Sequence, residues 1–423
     1  MIRGAAARLI AIARCRDSRL LVVVRGVRSI GQGALVVDFA LYLRDLHWTG
    51  GQIGALLTAA MVSGIALMML VGPLSDRIGR KSLLLGFEIT RVLAALIALS
   101  SSDPWLLAVA ALLGQYGRGG NGAAGPFGPV ERAWLAHSVP PEARVSLYSV
   151  NSAVGFLGRA VGALLAAVPA LLSGWLLGPF AYRPLFALVL VTSAISTWLI
   201  SRIAEERRPA RPAAEPSEPS EVGVGRRENA LLRRLVLANL LQGAGLGLSG
   251  PLTTYWFAVK FGQGPALIGP LMAASLVLAA LASVAAGRLA RRHGIVPVVI
   301  GMRLVGIGLL AAMPLAPSLP FAAGLFAARS LFNRGTNGPR RALSMGLVRA
   351  QRRGLAGSIN SVSLAVPRAV GPLFAGLLFD TGFLALPFLL AAGFQAGYLC
   401  VYGWSFADHD RKMLGAARAG AAE

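Results

Sequence analysis

The chain is poor in the residues that carry most enzyme and metal chemistry. It has 2 cysteines and 4 histidines in 423 residues. Cys15 lies in the N-terminal tail and Cys400 in a late apolar run, which gives neither a disulfide framework nor a thiolate cluster. His47, His137, His293 and His409 fall in or near expected loops without ligand spacing, so no metal and no cofactor are expected. No Ser/His/Asp arrangement suggests an enzyme. Gly245-Leu-Gly-Leu-Ser-Gly250 and Gly117-Arg-Gly-Gly-Asn-Gly122 fit G-x-G-x-x-G, but neither follows an expected strand and both fall in apolar runs. Acid is scarce as well: 18 Asp and Glu stand against 41 Lys and Arg, a net charge of +23. In a soluble chain that surplus would point to nucleic acid. Here 55% of residues are hydrophobic, 14% are charged, and the mean hydropathy is +0.64. That composition lies outside the soluble range, so the basic surplus reads as the loops of a membrane protein, with a lipid bilayer and not nucleic acid as its surroundings.

What is present is a series of long apolar runs. They occupy 20–43, 52–74, 82–102, 104–127, 145–172, 183–203, 233–259, 266–288, 294–315, 318–339, 354–379 and 382–406. At 1.5 Å per residue each can cross about 30 Å of hydrocarbon. The first run is too long for a signal peptide and lacks a small-residue cleavage site. The expected fold is therefore all-α, with twelve transmembrane helices. Residues 204–232 are rich in Pro, Glu and Arg and read as a disordered cytoplasmic linker. This gives a tail (1–19), a six-helix bundle (20–203), the linker, a second six-helix bundle (233–406) and a second tail (407–423). With the N-terminus inside, the inward segments collect Arg77, Arg80, Lys81, Arg132, Arg144, Arg288, Arg291, Arg292, Arg340 and Arg341, among others. The outward loops hold only Arg44, Arg183 and Lys260. Both termini are accordingly expected in the cytoplasm, in a multi-pass protein of the cytoplasmic membrane.

Between the second and third runs lies Gly72-Pro-Leu-Ser-Asp-Arg-Ile-Gly-Arg-Lys81, read as a tight charged turn. Gly79 supplies backbone freedom at its tip. Arg77, Arg80 and Lys81 cannot enter hydrocarbon, and Asp76 sits among them ready for ion pairs. The pattern G-x-L-x-D-R-x-G-R-K resembles the loop signature between helices 2 and 3 of the major facilitator superfamily of transporters. Gly72, Leu74, Asp76, Arg77, Gly79, Arg80 and Lys81 match it. The halves also repeat. Gln32-Gly-Ala returns as Gln242-Gly-Ala, Arg118-Gly-Gly-Asn-Gly122 as Arg334-Gly-Thr-Asn-Gly338, and Asn151-Ser as Asn360-Ser. Arg159-Ala-Val-Gly162 returns as Arg368-Ala-Val-Gly371, and the loop motif as Gly287-Arg-Leu-Ala-Arg-Arg-His-Gly294, with Arg291 where Asp76 stands. The offset is nearly constant, as two pseudo-symmetric six-helix bundles require. The resemblance implies alternating access about a midplane site, and a conformational gate at the 72–81 segment.

Ionisable residues inside the spans are costly and each needs a partner or a wet cavity. Arg25 and Arg28 are expected to snorkel to the cytoplasmic surface. Glu88 and Arg91, three apart, are close enough to pair. Arg118 and Asn121 resemble the superfamily's helix-4 pattern R-x-x-Q-G with Asn in place of Gln, which in its drug/proton antiporters is tied to proton coupling. Arg334 and Asn337 are the twin pair. With Gln32 and Gln242 they are the candidate cavity residues, the alternative being that both arginines brace helix carbonyls beside Gly119 and Gly335. Asp38 is the single carboxylate of the first run and can serve as the proton carrier, or it can reach the outer interface and do nothing of the kind. Arg159 and Arg368 fall mid-span, as structural or substrate-facing groups. Gly155, Gly158 and Gly162 resemble the exporters' helix-5 motif, with Arg159 replacing its proline. Small residues at such positions also serve close packing.

The expected function is secondary active transport of a small molecule. The first candidate is proton-coupled export of a drug-like or amphiphilic compound by antiport. The second is uptake or exchange of an acidic solute, which the arginine surplus favours. A third is a non-transporting membrane receptor on the same fold. The resemblance implies a monomer.

Overall fold

The structure is a computed structural model that describes residues 16–117, 128–137, 141–172, 175–176, 178–203, 222–336, 340, 343 and 353–419. The described residues form helices joined by short turns. In chain order they are α1 (Arg16–Asp45), α2 (Gly50–Ile78), α3 (Arg80–Ser100), α4 (Pro104–Gly114), α5 (Gly128–His137), α6 (Pro141–Leu165), α7 (Val168–Leu172), α8 (Arg183–Ser201), α9 (Val222–Ser249), α10 (Thr253–Phe261), α11 (Pro265–His293), α12 (Ile295–Ala312), α13 (Leu319–Gly335), α14 (Arg353–Asp380) and α15 (Leu386–Ala419). Ten segments are long and apolar enough to cross a membrane, and α4 is a shorter apolar helix.

Helix starts follow local chemistry. Thr49 and Gln52 form a capping box at α2: the Gln52 amide donates to Thr49 Oγ1 at 3.2 Å, and the Thr49 amide to Gln52 Oε1 at 2.9 Å. Asp103 caps α4, accepting from the amides of Trp105 and Leu106 at 2.9 and 3.0 Å, with Pro104 in the first turn.

The segment expected to be a tight turn is mostly helix. α2 runs through Ile78 and α3 begins at Arg80, so the whole reversal falls on Gly79, at φ 87° and ψ 154°. That conformation is open only to glycine. Its repeat partner Gly294 joins α11 to α12 at φ 94° and ψ 159°. Gly79→Ala should therefore cost about 1–3 kcal/mol of folded stability. Gly86→Ala, where a Cβ meets nothing within 4 Å, should melt like the wild type in detergent.

Two expected spans are broken. The fourth, expected as 104–127, ends its first helix at Gly114. Gln115 is left-handed at φ 56°, and its Nε2 donates to Ser63 Oγ at 2.8 Å and to the Leu112 carbonyl at 2.7 Å. Helix resumes as α5, so Arg132, expected in a loop, is helical. The seventh, expected as 233–259, parts between α9 and α10 at Gly250–Leu252. Pro251 disfavours helical conformation in the residue before it. α9 begins at Val222, inside the stretch expected as linker.

The chain divides into two compact units, Met1–Arg211 with Thr253–Leu276, and Pro212–Leu252 with Val277–Glu423. In the first, α1 packs on α6 and α8, and α3 on α4 and α8. In the second, α9 packs on α14 and α15, and α12 on α13 and α15. These are the same pairings one repeat later. Large apolar side chains such as Trp105, Leu281 and Trp404 stay exposed, the surface hydrocarbon calls for.

Candidate functional site

The first unit holds a buried charge network. Glu88 and Arg91 lie one turn apart on α3, and Arg25 and Arg28 one turn apart on α1. Glu131 comes from α5 and Asn151 from α6. Arg28 is 1% exposed, Glu88 0% and Glu131 2%. Arg28 Nη2 donates a very short bond to Glu131 Oε2, and its Nη1 lies 3.4 Å from Glu88 Oε1. Glu88 Oε2 is 3.7 Å from Arg91 Nη1, the pairing expected from the i,i+3 spacing. Glu131 Oε1 accepts from Asn151 Nδ2 at 3.0 Å and faces Arg25 Nε at 4.0 Å. Arg25 and Arg28 thus do not snorkel: they turn into the bundle because two carboxylates await them there. Three cations meet two acids, which offsets part of the burial cost.

Sequence reasoning missed Glu131, because the expected end of the fourth span left it in a loop. A charge balance would have found it. Three arginines in the first and third spans face a single nearby acid in Glu88, so a second had to come from elsewhere.

Asp38, on α1 three turns beyond Arg28, is 1% exposed, and neither carboxyl oxygen has a hydrogen-bond partner among the described residues. It does not lie at the protein surface. Seven residues on, Asp45 is half-buried: it pairs with Arg44 at 3.1 Å and accepts from Tyr182 Oη at 2.8 Å. Gln32 is half-buried on the same helix. Arg159 is buried where α6 crosses α1, and a Cβ on Gly33 would overlap its backbone. Its twin Arg368 occupies the same place where α14 crosses α9: a Cβ on Gly247 would lie 2.5 Å from the Arg368 carbonyl oxygen. Both arginines are thus set at the tightest helix crossings, where glycine opposite them is required.

In the second unit Gln242 is buried and Arg334 is half-buried on α13, and among the described residues Gln242 Oε1 and Arg334 Nη1 have no hydrogen-bond partner. The repeat partner of Asn151, Asn360, accepts from Asn239 Nδ2 at 3.1 Å, and Ser363 Oγ accepts from the same nitrogen at 2.9 Å. Arg118, Asn121 and Asn337 lie outside the described residues. The description of Gly72 and Asp76 stops at the backbone. Arg77 is exposed and Arg80 half-buried. Lys81 has a role the sequence did not suggest. Its Nζ donates to the carbonyls of Ser201 and Ile203, at 2.9 and 2.7 Å, clamping the C-terminal end of α8.

Over 192 residues the chain is 27% identical to Multidrug resistance protein D of Escherichia coli, a match covering 45% of either chain. Over 153 residues it is 26% identical to an uncharacterised membrane protein of Saccharomyces cerevisiae, covering 36% of this chain and 34% of that one. The chain thus spans between about a third and a half of the length of these curated relatives. Among solved structures, the nucleoside transporter NupG superposes with a TM-score of 0.69 at 14% identity, covering 92% of this chain and 98% of that one. A bacterial homologue of the human lysosomal transporter Spinster superposes with a TM-score of 0.68 at 14% identity, covering 93% and 97%. At such identities the likeness concerns the fold alone. Residues 21–241, just over half of the chain, match the Major Facilitator Superfamily, and this multi-pass membrane protein belongs to it.

Proposed function

We propose that the chain is a proton-coupled secondary transporter that exports a small amphiphilic compound across the cytoplasmic membrane, as a monomer with both termini in the cytoplasm. The observation that carries this reading is Asp38: a carboxyl group inside a membrane span, buried, with neither oxygen partnered among the described residues. A lone charge there is costly, whereas the neutral acid is tolerated, so the group suits a proton carrier whose load changes as the site opens to either side. Arg118 and Asn121 belong to the same coupling machinery on this reading, and the Gly72–Lys81 segment biases the bundles between facing states. Export is favoured by the partial likeness to Multidrug resistance protein D.

The test is a pH-dye assay in inside-out vesicles, with cationic, neutral and anionic compounds presented to wild type and to Asp38→Asn. The expected result is a proton movement evoked by at least one compound and reduced at least tenfold in the variant. Equal proton movement in both proteins, or accumulation of a compound with no proton movement, would overturn the role of Asp38. A second reading, uptake or exchange of an acidic solute, is favoured by Arg334, a cation with no hydrogen bond or ion pair among the described residues.

A further inference from the structure

The N-terminal half of α9 carries a groove that neither the charge network nor the coupling residues use. It holds about 470 Å³. One wall is a face of α9 that runs from Asn229 and Arg233 through Val236 and Leu237 to Leu240, and the other is Ile359 of α14. The α9 residues recur at intervals of three and four, as one face of a helix requires. Leu232, on the same face, belongs to the core of the second unit, and Ile359 packs against that core, so these two make the floor. Leu237 and Leu240 stay 50% and 41% exposed, which leaves the groove open along its side.

Its polarity runs in one direction. Asn229 and Arg233 stand at the end where the apolar span begins, at Glu228. Beyond Arg233 every lining residue is aliphatic. From Asn229 to Leu240 the groove extends about 16 Å along the helix, at 1.5 Å per residue, roughly the hydrocarbon depth of one leaflet. Arg233 is exposed, and among the described residues it makes no hydrogen bond, ion pair or ring contact. Its neighbour Arg234 is engaged elsewhere, with its guanidinium 4.7 Å from the ring centre of Trp404 on α15. The two helices that form the groove offer Arg233 no carboxylate along it: the sequence has no Asp or Glu between Glu228 and Asp380, and Asp380 is the last residue of α14. The fold does not demand a cation here either. At the repeat offset set by Gln32 and Gln242, Arg233 corresponds to Val23 of α1.

We infer that this groove holds an anionic phospholipid, with an acyl chain along α9 and the phosphate on Arg233. The head and the tail are selected by different residues. A guanidinium presents its N–H donors in a fork that matches phosphate oxygens, and basic sites between membrane helices at the cytoplasmic side hold anionic head groups. The aliphatic walls beyond it match a hydrocarbon chain and nothing polar. A small soluble anion would leave Leu232, Val236 and Ile359 uncovered, and a zwitterionic lipid would bring its own cation to Arg233. With α9 entering from the cytoplasmic side, as proposed above, the lipid belongs to the inner leaflet. The site needs only that the chain spans a membrane, and it stands whatever the transported solute is.

Native mass spectrometry of the full-length protein in neutral detergent tests the groove. The probes are dioleoyl phosphatidylglycerol, dioleoyl phosphatidylcholine, which has the same tails, and dihexanoyl phosphatidylglycerol, which has the same head. The expected result is saturable retention of the first lipid and clearly weaker retention of the other two. Arg233→Gln should weaken the first about fivefold, the share of one arginine at an anionic membrane surface, and Arg233→Lys should weaken it less. Arg202→Gln removes an equal charge just past the end of α8 and should bind as the wild type does. If Arg233→Gln does not survive purification, the wild type still decides the matter: dioleoyl phosphatidylglycerol should raise its melting temperature saturably and the phosphatidylcholine should not. Equal retention of the two dioleoyl lipids, or an Arg233→Gln variant that binds as the wild type does, would overturn the site. So would an equal loss in Arg202→Gln, which would reduce the effect to net charge. Decanoate that displaces the lipid, and that proteoliposomes also take up, would give the groove to the transported solute and overturn the lipid.

Discussion

Glu131→Ala is expected to lower the stability of the folded protein by about 3–5 kcal/mol, the range seen when one partner of a buried ion pair is removed. The reason is the count of charges around it. Glu131 accepts from Arg28 and from Asn151, and faces Arg25 at 4.0 Å. Without it, Arg28 and Arg91 share Glu88, and of its two carboxylate contacts Arg28 keeps the longer one at 3.4 Å. Its Nη1 makes no hydrogen bond among the described residues even in the intact network. Glu131→Gln keeps an oxygen for the Asn151 amide and should fall between Ala and wild type. The combination of Arg28→Met with Glu131→Met removes both charges from the pair and should recover part of the loss, because a well-packed apolar pair avoids the desolvation cost. Thermal unfolding in detergent, read as a double-mutant cycle, would show a coupling energy well above the typical half kilocalorie limit of independent sites. A Glu131→Ala protein that melts with the wild type would mean that the network contributes nothing to the fold.

This network also shows where sequence reading stops. The repeat was legible because it is a comparison of the chain with itself: Gly79 and Gly294 align, and the structure gives both the same left-handed turn. The caps at Thr49 and Asp103 follow from side chains within three residues of the amides they bind. The charged Gly72–Lys81 stretch suggested a turn, yet the helix continues to Ile78 and reverses on one glycine. Arg28 is the plainest failure. Its distance from the start of the span suggested snorkelling, which treats a helix as if it stood alone in lipid. Which way the side chain turns was decided by Glu131, 103 positions away, on a helix beyond the end of α4 at Gly114, a break that no apolar periodicity marks. Of the candidate transport residues, Asp38 and Arg334 were legible as types out of place in hydrocarbon. Their lack of hydrogen-bond partners among the described residues was not, since it depends on what every neighbouring helix presents.

Gly162→Leu should be the most damaging single change on α6, with a loss of about 3 kcal/mol or more, at or beyond the upper end for overpacked cores. On this helix Gly155, Gly158 and Gly162 form the stripe that meets α1. A Cβ at 155 would lie 2.8 Å from Arg25 Nε, and one at 158 would lie 2.5 Å from the Gly26 carbonyl oxygen. At 162 a Cβ would overlap the Ile30 carbonyl oxygen and approach the Ala34 amide nitrogen at 2.8 Å. The first of these obstacles is the tip of a flexible side chain, which can shift. The last is backbone on both sides, so relief requires the helices to separate. The expected order of damage for alanine is therefore Gly155, then Gly158, then Gly162. Gly393→Leu, where a Cβ meets nothing within 4 Å, serves as the neutral control. Because α1 carries Arg28 and Asp38, any separation at Gly162 also displaces both groups from their surroundings. A Gly162→Ala protein that still folds should then lose compound-evoked proton movement while Gly393→Leu retains it. Melting curves that rank Gly155→Ala below Gly162→Ala would show that α1 and α6 are not held by backbone contact at that glycine.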